Sequence, residues 1–330
     1  MKQLIALALS LCLFSPLGHT ATLKIATLAP DGTSWMKMMR QAAKDIKKET
    51  EGRVKIKYFP GGVQGSDKSV LRKMRIRQLQ GGAVSTGALN HISRAAQLYS
   101  MPFTFRNLDE IRAVREEFDQ YIVDDLRSKG YEVLGLTEGG FAYLMGNKAL
   151  TQVDDFKSQK VWSPEGDIIT QTTFSTAGIE PVSLPISDVY TSLQTGLINT
   201  VGSNLTATIA LQWHTKLSHT TDFPLLFLMG TLIVDQKSFG KLSDTDQAIV
   251  RRVMKDTYRA MDEQNAKDEQ GARAALEKNG MTFVQLSDEE KANWQALAAN
   301  TLKDLADKGA YPVELYKKLQ ARLTELRAGQ

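Results

Sequence analysis

The sequence predicts an α/β protein of two lobes with mainly parallel sheets. Three observations carry that expectation. Short strand patterns alternate with helix patterns, which favours a parallel sheet flanked by helices. The chain has 330 residues, more than the roughly 250–300 at which a single core tends to divide. Finally, Ser243 to Asn279 reads as one uninterrupted helix, long enough at about 1.5 Å per residue to brace both lobes.

The chain opens with an export signal. Met1 and Lys2 precede an apolar run from Leu4 to Phe14, broken by Pro16 and Gly18 and followed by the small residues Thr20 and Ala21. A positive start, a short apolar stretch and a small-residue exit describe a cleavable signal peptide, residues 1–21, with the cut expected after Ala21. The run is shorter than the roughly 20 apolar residues that span a bilayer. Cys12 does not read as a lipid anchor, because Leu11 stands where a small residue is needed. Removing the leader removes the sole cysteine, so no disulfide and no thiol chemistry is expected. No later stretch is apolar enough to insert stably in a membrane.

Leu23 to Ala26 is a strand, ended by Pro30-Asp31-Gly32. A helix runs from Trp35 to about Thr50, with the hydroxyl of Thr33 or Ser34 accepting from free amides of its first turn. Arg53 to Phe59 alternates apolar and basic residues, the period of a half-exposed strand. Pro60-Gly61-Gly62 turns the chain, Ser66-Asp67 opens a helix through Gln80, and Gly81 to Ser85 is a short buried strand. Val133 to Leu136 and Phe141 to Met145 are two strands, and the pair Gly139-Gly140 between them marks the start of the second lobe. Lys160 to Ser163 is a strand stopped by Pro164. Ser187 caps a helix from Asp188 to Thr195 that Gly196 closes. The long helix is apolar on one face in its first half and more polar in its second, as expected of a helix crossing a gap between domains. Asp288-Glu289-Glu290 opens the next helix, where acids complement the dipole.

The composition excludes more than it selects. Without Lys2 there remain 40 basic and 37 acidic residues, well mixed. The one basic excess, Arg72 to Arg77, reads as a solvated helix face, and no nucleic-acid partner is expected. His214 and His219 are five apart, which does not give the i, i+4 face of a helical metal pair. No GxSxG, HExxH, P-loop or GxGxxG pattern occurs, and Asp154-Asp155 reads as a helix start. An enzyme, a cofactor and a metal site are therefore not expected.

Four blocks then point to a family. Ile25-Ala26-Thr27-Leu28-Ala29-Pro30-Asp31-Gly32-Thr33-Ser34-Trp35, Glu49 to Ile56, Phe59-Pro60-Gly61-Gly62 and Ser187 to Gly196 occur in the order found in TRAP (tripartite ATP-independent periplasmic) transporter solute-binding subunits. The chain resembles the DctP type of that family over nearly its whole length. The resemblance implies a periplasmic binding protein fold with discontinuous lobes, here 22–139 plus 228–267 and 140–227 plus 268–330. It also implies capture of a small organic solute, an organic acid by default, and delivery to TRAP membrane subunits. A periplasmic sensor reading the same cleft to a membrane receptor is the alternative.

The sequence departs from the family where its ligand is gripped. Trp162 in Lys157-Ser158-Gln159-Lys160-Val161-Trp162-Ser163-Pro164 stands where the family usually has an arginine, and Ala142 stands at a second such place. Ser203, with Asn204 beside it, occupies the place of a ligand-facing asparagine. Neither tryptophan nor alanine can supply a bidentate fork to a carboxylate. A tryptophan face would instead suit an aromatic ring, a sugar face or a cation. The expected ligand-binding residues are Trp35, Asp67, Asn90, His91, Phe141, Tyr143, Trp162, Glu165, Ser203 and Asn204. Trp213 and Tyr190 read as structural.

Overall fold

The protein is described from a computed structural model, which covers residues 20–329. The leader prediction lies almost entirely outside the described residues. In chain order the elements are β1 (Ala21–Thr27), α1 (Ser34–Glu49), β2 (Val54–Phe59), α2 (Asp67–Arg75), β3 (Gly81–Ser85), α3 (Leu108–Ser128) and β4 (Tyr131–Gly146). There follow α4 (Val153–Lys157), β5 (Trp162–Pro164), α5 (Ile168–Thr176), β6 (Val182–Leu184), α6 (Val189–Thr195), β7 (Thr200–Ser203) and α7 (Leu205–Ala210). The chain closes with β8 (His219–Thr221), β9 (Leu226–Asp235), α8 (Gln236–Phe239), α9 (Asp244–Lys278), β10 (Thr282–Val284), α10 (Asp288–Asp307) and α11 (Val313–Ala328).

The main sheet is mixed, which corrects the expectation of mainly parallel sheets. Its order is β10-β8-β4-β9-β3-β1-β2, with β7 also on β4. Pairing is parallel toward the two edges, β1 with β2 and β3, and β10 with β8. It is antiparallel at the centre, where β4 lies along β9 and β9 along β3. The centre escaped sequence reasoning because strand periodicity carries no information on direction.

The two strands expected around Gly139-Gly140 are one. β4 runs unbroken through both lobes, with register shifts against β9 at Val133/Gly135 and Glu138/Gly140. Gly140 has φ +92°, a conformation costly to any residue with a Cβ. A bulge bends a strand without ending it, so the lobes share a continuous, bent backbone.

The helices follow their local signals. Thr33 caps α1, which buries Met36, Met39, Ala42 and Ile46 on one face. Ser66 caps α2, which stops at Arg75 rather than at Gln80, because Arg77 turns left-handed at φ +60°. Arg72, Arg75 and Arg77 are exposed, as expected of a solvated face. Ser187 does not cap α6. It lies in a 3-10 turn and bonds the Asp188 carboxylate at 3.0 Å. Asp155 receives the amides of Thr151 and Gln152, which confirms the helix-start role of the Asp154-Asp155 pair.

Ser243 caps the 35-residue α9. Its first half buries Val250, Val253, Met254, Tyr258 and Met261 beneath α1 and β4 in the first lobe. Its second half meets α7 of the second lobe and buries Ala272 and Leu276. Gly135 lets the Tyr258 ring approach β4, since a Cβ there would lie 2.3 Å from the ring. At the far end of the chain, α11 lies on α3, held by Arg327 on Glu110 at 2.7 Å.

Candidate ligand cleft

A cavity of about 390 Å³ opens between the lobes. That volume is within the ordinary range for small-molecule sites. Its first wall comes from the carboxyl ends of β1 and β3 and the starts of α1 and α2. The second comes from the end of β5, the start of α5, the end of β7 and α7, with the middle of α9 as a floor. Ligand sites beside the carboxyl ends of strands are the rule in open α/β sheets.

Six of the ten expected residues line it: Trp35, Asp67, Trp162, Glu165, Ser203 and Asn204. Each has a local reason to be there. Trp35 rides on the first turn of α1, and its buried Nε1 finds no acceptor among the described residues. Asp67 opens α2, is 8% exposed, and accepts from the amide and hydroxyl of Ser85 at 3.1 and 3.0 Å. Burial pushes its carboxyl up to about 6. Trp162 is clamped: its Nε1 donates to the Leu184 carbonyl at 2.9 Å, and its ring meets Trp213 edge-on at 5.4 Å. Asn204 caps α7 and donates across to the Gly139 carbonyl at the bulge of β4.

The other four lie elsewhere. Asn90 sits at the mouth, donating to the Gly166 carbonyl of the opposite lobe, and His91 beside it is exposed. Phe141 packs edge-on against Phe227 at 5.0 Å, and Tyr143 pairs with Ser203 in the β4–β7 ladder. Both are on β4, and its continuous course past the bulge sets them into the lobe rather than the cavity. Lys68 and Glu165 also join across the mouth at 3.0 Å. The lobes are therefore described in a closed arrangement.

Sequence reasoning missed several wall residues. Trp213, read as core, is both core and wall. Asn265, Asp268 and Glu269 of α9 form the floor. The polar second half of α9 was the available signal, but not the direction it faced. Glu269 accepts the amides of Leu205 and Thr206 at the start of α7, and Asp268 accepts from Ser34 at the start of α1. Burial raises Glu269 and also Asp167, which caps α5. Just outside, Arg115 bridges Glu138 at 3.1 Å and Asp262 at 2.6 Å, while Asp262 and Asn265 hold the backbone of Glu138. That network clamps the bend of β4 to α3 and α9. The described residues contain no cluster of three metal-ligating side chains.

Two lobes that share the bent strand β4, with a cavity lined from both between them, give the architecture of a solute-binding protein. The chain matches the bacterial extracellular solute-binding protein family 7, DctP, over residues 25–308, and it belongs to that family. It is 22% identical over 321 residues to the C4-dicarboxylate-binding periplasmic protein DctP of Rhodobacter capsulatus, covering 96% of each chain. The crystal structure of a TRAP periplasmic solute-binding protein from Xanthobacter autotrophicus with bound β-D-galacturonate superposes with a TM-score of 0.84 at 21% identity, covering 91% of this chain and 98% of that one. One from Sulfurospirillum deleyianum with bound succinate gives 0.84 at 22% identity, with 92% and 99% covered. At such identities the structures speak for the fold. No helix among the described residues is long and apolar enough to cross a membrane.

Proposed function

We propose that the protein is exported by a signal peptide cut near Ala21, captures a small organic solute in the periplasm, and delivers it to TRAP membrane subunits. The cavity closed on both sides by different lobes is the observation that carries this reading. The relatives with bound galacturonate and succinate make organic solutes of that size the first class to screen. The lobe boundaries proposed are 22–139 plus 228–267 and 140–227 plus 268–330, with α11 as a strap returning to α3.

Trp35, Asp67, Trp162, Glu165, Ser203 and Asn204 are the proposed contacts, with Asn90 acting at the mouth. Phe141 and Tyr143 shape β4 behind the wall. A thermal-shift screen of acids, sugars, aromatics and amines, with mass spectrometry of co-purified solute, tests the capture itself. Trp162→Ala should lose the stabilisation given by the best ligand of that screen. A full melting shift retained in Trp162→Ala removes Trp162 from the contacts.

A further inference from the structure

The charge on the solute can be read from the wall, given that the cleft captures one. Most of the lining is apolar, from Val84 and Met229 on one side to Ile186 and Trp213 on the other. Its charged groups are nearly all acids: Asp67, Glu138, Glu165, Asp167, Asp268 and Glu269. Among the described residues Lys68 is the one cation on the wall, and Glu165 already holds it. No arginine lines the cavity among the described residues.

Most of these acids are answered by protein groups. Glu138 has Arg112 and Arg115 behind it, Glu269 takes amides of α7, and Asp167 takes amides of α5. Asp268 accepts from Ser34 and Gln264. Asp67 differs. It is buried, bonded only through Oδ2 to Ser85, and nothing among the described residues reaches its Oδ1 or neutralises its charge. A buried carboxylate without a counter-charge is costly and is relieved by a cation or a proton.

We propose that the solute is an organic cation, with an ammonium or quaternary ammonium group at Asp67 and an apolar or aromatic body along Trp35 and Trp162. Indole faces attract such cations, and the apolar wall strengthens that attraction by excluding water. A ligand carboxylate would meet the opposite: several acids, one paired lysine and no fork of donors.

The pH dependence has a definite sign. Burial holds Asp67 at about 6 and raises Asp167 and Glu269 as well. A bound cation favours the ionised form, so its affinity should fall as the pH drops below about 6. A neutral ligand accepting a hydrogen bond from the protonated Asp67 carboxyl would show the reverse.

The test is calorimetry and thermal shift on the full mature chain with phenethylamine, choline and putrescine, with 3-phenylpropanoate, succinate and galacturonate, and with 2-phenylethanol. Mass spectrometry of any solute released on denaturation accompanies it. The expected result is binding by an amine, weakened roughly 10- to 100-fold in Asp67→Asn and weakened at acid pH in the unsubstituted protein. The pH series stands even if Asp67→Asn folds poorly. Binding by a carboxylate or the alcohol alone, or release of an anionic or neutral solute, overturns the charge assignment and leaves capture standing. Where no probe binds but a cation is released, the assignment holds. No binding by any probe and no released solute overturns both.

Discussion

Two charged groups beside the cleft separate energy from proximity. Arg115 is largely buried and holds Glu138, Asp262 and Asp119 at once. Removing one partner of such a cluster strands the others in a medium that hydrates them poorly. Arg115→Met is therefore expected to cost about 3–5 kcal/mol in urea denaturation. Lys68, with its side chain 75% exposed, is screened in its pair with Glu165, so Lys68→Ala should cost under about 1 kcal/mol. Equal losses for the two variants would contradict this account. Of the residues on the cavity wall, Asp67 was placed near a loop by its position after a capping serine that follows Pro60-Gly61-Gly62, in a strand-to-helix connection. Trp162 was legible from what it replaces. Phe141 and Tyr143 were misplaced because alternation along a strand says which residues share a face, not which face borders the cleft.

At the scale of elements, β4 and α9 hold the lobes together. β4 bends at its bulges, and α9 lies against it with Tyr258 over Gly135. Any larger side chain at Gly135 must displace that ring or the strand. Gly135→Val should destabilise by at least the roughly 1–3 kcal/mol typical of overpacking, read as a lowered urea midpoint at unchanged slope. The double variant with Tyr258→Ala should lose less than the sum of the two single changes, because the clash is gone. Full additivity would show that the contact is not the cause. The helices α1, α2 and α9 were legible with their capping residues, whereas α3 and α7 were not and Ser187 does not cap α6. The end of α2 was not legible, since the left-handed turn at Arg77 has no glycine to announce it.

For the whole molecule, the acids of the cleft set how stability varies with pH. Asp67 rises from 3.8 to about 6 on folding, and Asp167 and Glu269 shift the same way. A carboxyl raised on folding adds stability that is full below its unfolded value and lost as the pH climbs through its folded one. Asp67 alone is worth on the order of 3 kcal/mol across that interval. Asp222 bonded by Arg273 and Asp246 bonded by Arg53 are lowered instead, so their contribution fades only as the pH falls below the usual carboxylate range. The ligand-free protein should therefore melt highest near pH 4–5 and lower at pH 7, as calorimetry across that range would read. A melting temperature rising steadily from pH 4 to 7 would show that the cleft acids are not desolvated as described.

Local pattern by itself determined the alternation of strands and helices in the first lobe, the caps of α1 and α2, the long α9 and the family resemblance, because these depend on residues close in sequence. Only the tertiary structure decided that β4 is one bent strand, that the sheet is antiparallel at its centre, and that acids from α2, α5 and α9 meet around one cavity. Charges from residues two hundred positions apart act on each other through space, and no periodicity along the chain records where folding will bring them.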